Sequence, residues 1–176
     1  MNMSEYLIVV DMQKDFIDGA LGTAEAVAIV PAVAEKIRSF PGKVIFTRDT
    51  HEADYLSTQE GRLLPVPHCI RGTEGWQLDR ALQPLCSDDP IDKPVFGSVE
   101  LGERLRAANR EEPITRITLI GLCTDICVIS NALICRAFLP EAEIVVDAAC
   151  CAGVTPASHA TALAAMKTCQ VRVENE

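Results

Sequence analysis

The run Ile117-Thr-Leu-Ile-Gly-Leu-Cys-Thr-Asp-Ile-Cys127-Val constrains this chain more than any other stretch. Its β-branched and leucine side chains read as a strand over Ile114–Ile120. Gly121 and its neighbours read as a tight turn, and Asp125–Phe138 as a helix. A strand that runs directly into a helix is how a parallel sheet is built. Cys127 falls in the first turn of that helix, where unpaired backbone N–H groups and the positive end of the dipole favour a thiolate. The same N–H groups can hold a developing oxyanion during acyl transfer. Taken singly, a cysteine in this place is equally an ordinary buried packing residue.

The rest of the chain repeats the strand–helix alternation. Tyr6–Asp11 reads as a strand, Ala24–Phe40 as a helix stopped by Pro41-Gly42, and Lys43–Thr47 as a second strand. Residues 48–75 form a long polar segment that contains His51 and His68, and long loops inside compact domains are often functional. Leu78–Leu85 reads as a short helix, Lys93–Gly97 as a strand end or loop, and Val99–Ala108 as a helix. Glu143–Val146 reads as a strand, Pro156–Thr168 as a helix with proline near its start, and Gln170–Val173 as a last strand. This pattern implies an α/β fold, a three-layer α/β/α arrangement around a mainly parallel central sheet. The 176 residues form one domain, 1–176, with no internal repeat or linker. Such sheets build their sites at the carboxyl ends of the strands. Asp11, Arg48-Asp49 and the Cys123–Cys127 turn all follow strands, so three chemical groups converge on one edge.

Composition narrows the function classes. A formal charge of −9 argues against nucleic acid as a partner, because phosphate-backbone binding needs a basic surface. Although 48% of residues are apolar, no run of about 18 uncharged apolar residues occurs, which argues against a membrane partner. The start Met-Asn-Met-Ser-Glu-Tyr6 lacks a basic region followed by a long apolar one, so the expected location is cytoplasmic. The eight cysteines then read as thiols and not as a disulfide framework. Cys123, Cys135, Cys150, Cys151 and Cys169 offer no recognisable ligand or redox spacing and read as packing residues. There is no phosphate-binding Gly-Lys-Ser/Thr loop and no Gly-rich dinucleotide fingerprint.

Two constellations carry possible chemistry. In the first, Asp11, Lys93 and Cys127, a carboxylate beside a thiol can take its proton and return it to a leaving amine. A lysine nearby would keep the carboxylate ionised. Spacing alone does not link the three, and Asp11 could as well cap a turn while Lys93 is solvated. In the second, Asp49 and His51 lie two apart at a strand end, with Glu60 and His68 following. One or two carboxylates and two imidazoles suit zinc, iron or manganese with open positions. Loop histidines making ordinary hydrogen bonds are the alternative.

Together these segments resemble the isochorismatase-like cysteine hydrolases, a family that includes the nicotinamidases. The matching residues are Ile8-Val-Val-Asp11-Met-Gln-Lys-Asp-Phe16, Phe46-Thr-Arg-Asp49-Thr-His51, Pro67-His68-Cys-Ile-Arg-Gly-Thr-Glu-Gly75, Lys93-Pro-Val-Phe96 and Gly121-Leu-Cys-Thr-Asp-Ile-Cys127-Val. The resemblance spans about residues 6–173 and implies a six-stranded, Rossmann-like sheet and a homo-oligomer, a dimer or tetramer. It implies Cys127 as nucleophile, Asp11 as proton shuttle and Lys93 as the third member of the triad. It further implies a cis Leu122–Cys123 peptide that aims the N–H groups of Cys123 and Cys127 at a carbonyl oxygen. Asp49, His51 and His68 match metal ligands of the nicotinamidases, and Glu60 resembles an additional carboxylate ligand. The metal implied is zinc, with iron or manganese as alternatives. Members acting on isochorismate lack this set.

The chain departs from the nicotinamidase pattern at two places. Thr50 stands where a Trp often follows the metal aspartate, and Pro65 stands where a ring-stacking aromatic is common. Phe16 and Phe96 remain as ring contacts. The expectation is therefore a metal-containing cysteine amidohydrolase that converts nicotinamide to nicotinic acid and ammonia through a Cys127 thioester, in NAD salvage. The alternatives are the same chemistry on another small amide, carbamoyl or ureido compound, and a non-catalytic ligand-binding scaffold.

Overall fold

The computed structural model describes residues 4–176; Met1–Met3, part of the start read above, lie outside the described residues. Six parallel strands form one sheet: β1 (Ser4–Val10), β2 (Lys43–Asp49), β3 (Ile91–Lys93), β4 (Ile114–Leu122), β5 (Glu143–Ala152) and β6 (Arg172–Glu174). Their spatial order is β3-β2-β1-β4-β5-β6, with β1 and β4 at the centre. Between them run α1 (Lys14–Ile17), α2 (Ala24–Ser39), α3 (Gln59–Leu63), α4 (Val99–Glu111), α5 (Ile129–Phe138) and α6 (Pro156–Thr168).

Strand alternation assigns the two faces. Leu7 and Val9 of β1, with Ile120 and Leu122 of β4, pack against Val33, Ala34 and Ile37 of α2. Tyr6, Ile8 and Val10, with Ile117 and Leu119, face Leu101 and Leu105 of α4, Ala132 and Cys135 of α5, and Leu163 and Met166 of α6. Both faces are covered, which is why β1 and β4 read as near-continuous apolar runs. Among the described residues no helix is long and apolar enough to cross a membrane.

The structure corrects several sequence expectations. Leu78–Leu85 does not form a helix beyond a 3-10 turn at Gln83–Leu85. Its first residues instead run beside the chain after β1, where Lys14 N–H donates to Gln77 O and Asp79 N–H to Met12 O. The strand end or loop read over Lys93–Gly97 holds, with β3 ending at Lys93 and residues 94–97 in the loop. β5 continues six residues beyond Val146, through Cys150 and Cys151. The short helices α1 and α3 carried no periodic signal. The helix after β4 opens with a π-helical turn, Thr124–Val128, before α5 begins. Cys135, Cys150 and Cys151 are buried as expected, but Cys169 is exposed at the end of α6 and packs no core.

The end of β4 lies against β1 so closely that residue 121 has to be glycine. Gly121 has φ +117°, and a Cβ there would lie 2.2 Å from Val10 O. Gly72 also has a positive φ, +82°, but a Cβ there would meet nothing within 4 Å. Gly121→Ala should therefore cost about 2–5 kcal/mol from strain plus overpacking, whereas Gly72→Ala should cost only about 1 kcal/mol. Urea midpoints of the two variants, compared at unchanged slope, check the difference.

Candidate active site

The carboxyl ends of β1, β2, β3 and β4 deliver four groups to one place. Asp11 directly follows β1 in a left-handed conformation (φ 48°), uncommon for a non-glycine residue and frequent at functional sites. Asp49 and Lys93 are the last residues of β2 and β3 and lie opposite each other in register. Cys127 lies in the π-helical turn after β4, beyond a cis Leu122–Cys123 peptide.

Asp11, Lys93 and Cys127 are all buried. The Lys93 ammonium is 2.5 Å from Asp11 Oδ2, 3.5 Å from Cys127 Sγ and 3.7 Å from Asp49 Oδ1, and it also donates to Val95 O at 3.2 Å. Thr47 Oγ1 donates to Asp11 Oδ1 at 2.7 Å. The three residues that spacing left unlinked are thus in direct contact.

Electrostatics set the proton positions. Burial opposes the charge on Lys93, but Asp11, Cys127 and Asp49 together outweigh burial and raise its pKa above the ordinary lysine value, so the ammonium persists. Burial raises the Asp11 carboxyl above its usual range, against the pull of Lys93, which makes it a stronger base than an exposed aspartate. Burial and the Asp11 carboxylate also push the Cys127 thiol well up, with Lys93 opposing. Both directions favour a thiol beside a basic carboxylate. A helix start alone favours the thiolate; burial and the nearby negative charge act in the opposite direction.

Asp49, His51, Glu60 and His68 form the second constellation. One ligand atom from each lies within 4.8 Å of all the others. His51 Nε2 is 2.9 Å from Asp49 Oδ2 and 3.4 Å from Glu60 Oε1, and His68 Nε2 is 3.4 and 3.8 Å from the same two atoms. His68 Nδ1 lies 2.8 Å from Val66 O, a contact that puts the proton on Nδ1 and leaves Nε2 for the cage. Tyr55 packs its ring 4.7 and 5.1 Å from the two imidazoles.

The donor set fits a divalent cation. Asp49 Oδ2 and Glu60 Oε1 both face the Nε2 atoms of His51 and His68. Burial would raise the Asp49 carboxyl, but hydrogen bonds from His51 and His68 and the Lys93 charge hold it well below the usual range. Burial lowers His68, and Asp49 with the Val66 carbonyl more than reverses this. The cage is an anionic pocket suited to a cation held by two imidazoles and two carboxylates.

Between the two constellations opens a small pocket lined by Phe16, Leu21, Leu64, Phe96, Cys123 and Ile126, with Asp49, Glu60, His68 and Cys127 at its polar end. Phe16 and Phe96 thus reach the pocket as expected. Cys123, read as a packing residue, instead lines it, and burial pushes its thiol up to about 12. Thr50 is turned away and accepts a hydrogen bond from Trp76 Nε1 at 2.8 Å. Pro65 does not line the pocket; its neighbour Leu64 does.

Three buried or part-buried polar side chains that hold this geometry carried no role in the sequence reading. Gln13, fully buried, accepts from Asp49 N–H at 2.7 Å and donates to Asp49 O at 2.8 Å, clamping the residue shared by both constellations. Asn131, one turn after Cys127, donates to Cys127 O at 2.8 Å and Phe96 O at 3.1 Å. Asp15 accepts the Cys69 N–H at 2.7 Å and so fixes the segment bearing His68. A polar amide within an apolar motif was the available signal for Gln13; nothing local marked Asn131.

Comparison with known proteins follows from this geometry. The isochorismatase domain model matches residues 5–175. An isochorismatase family protein of Bacillus subtilis is 32% identical over 173 residues, 92% of this chain and 93% of that protein. The solved nicotinamidase of Bacillus subtilis superposes with a TM-score of 0.81 at 31% identity, covering 98% of this chain and 100% of that one. A pyrazinamidase of Pyrococcus horikoshii, solved in complex with zinc, superposes with a TM-score of 0.80 at 29% identity, covering 98% and 99%.

Two expectations follow from the site. Lys93→Met leaves two buried carboxylates without their counter-charge and should cost about 3–5 kcal/mol of stability. Adding Asp11→Asn should return at least about 1 kcal/mol of that loss, read by urea denaturation of the single and double variants. Calorimetric titration with zinc should give one ion per wild-type chain and no comparable binding to a His51→Ala/His68→Ala variant.

Proposed function

The chain belongs to the isochorismatase family, and from that premise we propose that it is a metal-containing cysteine amidohydrolase acting on small amides, nicotinamide first among them. The observation that carries this reading is the contact of Asp11, Lys93 and Cys127 at the polar end of a pocket that also reaches the Asp49/His51/Glu60/His68 cage.

The proposed chemistry uses these groups in sequence. Cys127 Sγ attacks the amide carbonyl carbon as its proton passes to Asp11, whose burial-raised basicity suits it to accept. Backbone N–H groups of Cys123 and Cys127 hold the oxyanion. Asp11 returns the proton to the amide nitrogen, the C–N bond breaks, and ammonia leaves a thioester on Cys127. Asp11 then takes a proton from water as it attacks the thioester, and the carboxylic acid departs with the thiol restored. Lys93 stays protonated throughout and limits the cost of each charge change.

Asp49, His51 and His68, with Glu60, would hold the metal, zinc by its donor set or else iron or manganese. When bound, such an ion supplies a Lewis acid able to hold a ring nitrogen and so orient a heteroaromatic amide. Phe16 and Phe96 provide aromatic faces for the ring, each worth about 0.5–1.5 kcal/mol of stacking. The carboxylate product would feed the resynthesis of NAD.

Ammonia release from nicotinamide by metal-replete protein tests the reading. Cys127→Ala should lower kcat by about 10⁴-fold or more, since the nucleophile and its proton partner act as a unit. Benzamide, which lacks the ring nitrogen, should be turned over at least about tenfold less efficiently. Leu64 lines the pocket beside Phe16 and Phe96 where a further aromatic would favour a pyridine ring, which favours a second reading, in which another small amide, carbamoyl or ureido compound is preferred. A panel of such compounds decides, and a clear preference for nicotinamide removes the second reading.

A further inference from the structure

The turn bearing the nucleophile is poorly specified by its own sequence. Neither Cys123, which precedes the π-helical turn, nor Val128, which precedes α5, caps its element with a side-chain hydrogen bond. π-Helical turns are rare and hold their shape only with outside support. Besides Asn131 at Cys127 O, that support comes from one short stretch at the start of α6. Thr124, fully buried, sets its Oγ1 2.7 Å from His159 Nδ1. Asp125 Oδ1 accepts the Val154 N–H at 3.1 Å. Two consecutive residues between Cys123 and Cys127 are therefore tied to positions 159 and 154.

The anchor itself is rigid. Thr155 and Ser158 form a reciprocal capping box at the start of α6, and His159 N–H donates to Thr155 O at 3.0 Å. The first turn of α6 rests directly on Gly153, where a Cβ would lie 2.8–2.9 Å from His159 backbone and Cβ atoms. The cage uses the other two histidines, and the proton steps above use none. The Thr124 hydroxyl can donate to a neutral ring or accept from a protonated one, so the bond survives either state of His159.

We propose that His159 is a positioning residue that acts through Thr124 to hold the Cys123–Cys127 turn in its reactive geometry. Resting on the reading of Cys127 as nucleophile, this assigns His159 a role remote from substrate. Small displacements of a nucleophile carry large rate penalties, so the contact should matter to turnover and not to substrate affinity.

The test uses the full chain, metal-replete, with two readouts: kcat and KM for ammonia release, and the rate of Cys127 alkylation by iodoacetamide followed by peptide mass spectrometry. His159→Ala and Thr124→Val should each lower kcat and the alkylation rate roughly tenfold, the value of one well-placed hydrogen bond, with KM and zinc stoichiometry unchanged. The double variant should be no worse than either single one, and His159→Asn, whose amide oxygen can take the place of Nδ1, should recover most of the rate. Singles within twofold of wild type, losses that multiply in the double variant, or no recovery in His159→Asn would each overturn the proposal. If Thr124→Val fails to fold, His159→Ala against His159→Asn decides alone. Alkylation needs no substrate, so a protein inactive on every amide would count against the amidase reading while leaving this test intact.

Discussion

A single buried ammonium organises the active end of this sheet. Lys93 stands within 3.7 Å of two carboxylates and a thiol, all of them out of water. Desolvating three such charges is expensive, and their attraction offsets the cost only in favourable geometry. That geometry is a matter of strand register. Lys93 pairs with Asp49 across β2 and β3, and Thr50 N–H donates back to Lys93 O at 2.9 Å. Asp11 follows on the adjacent β1, so one cation serves acids from two neighbouring strands.

The shared acid, Asp49, ties the Asp11–Lys93–Cys127 group to the His51–Glu60–His68 cluster. One oxygen faces Lys93 and the other faces the two imidazoles. A change in charge on either side is therefore felt by the other through one side chain. Gln13 holds the backbone of that residue from both its N–H and its carbonyl, which keeps the coupling geometric as well as electrostatic.

Backbone irregularity is concentrated here, and each instance has a visible support. Asp11 and Cys69 both adopt left-handed conformations (φ 48°), Asp11 with its carboxylate held by Thr47 and Lys93, Cys69 with its N–H held by Asp15. The turn at Thr124–Val128 departs from α-helical bonding and is supported by Asn131, Val154 and His159. Strained or irregular backbone persists when surrounding contacts over-determine it.

What the sequence by itself determined was the alternation of elements and which polar side chains meet at the sheet edge. The β-branched runs at Leu7–Val10, Val44–Thr47 and Ile117–Ile120 carry their own strand signal, because both faces of each are covered. Motif order marked Asp11, Asp49, His51, His68, Lys93 and Cys127, and the strand-end rule put Asp11, Asp49 and Cys127 on one edge. Elements without a local signal were decided by tertiary contact. Residues 147–152 of β5 are alanine- and cysteine-rich and become strand by pairing with β4. Residues 78–85 look helical but run beside Met12–Lys14 because backbone groups there need partners. The protonation of Cys127 was decided in the same way. A helix start favours the thiolate, but dry surroundings and the Asp11 carboxylate, brought 116 positions along the chain by sheet pairing, push the thiol pKa up. Residue type and local periodicity are properties of the chain; solvation and the field at a buried atom exist only once distant segments have packed around it.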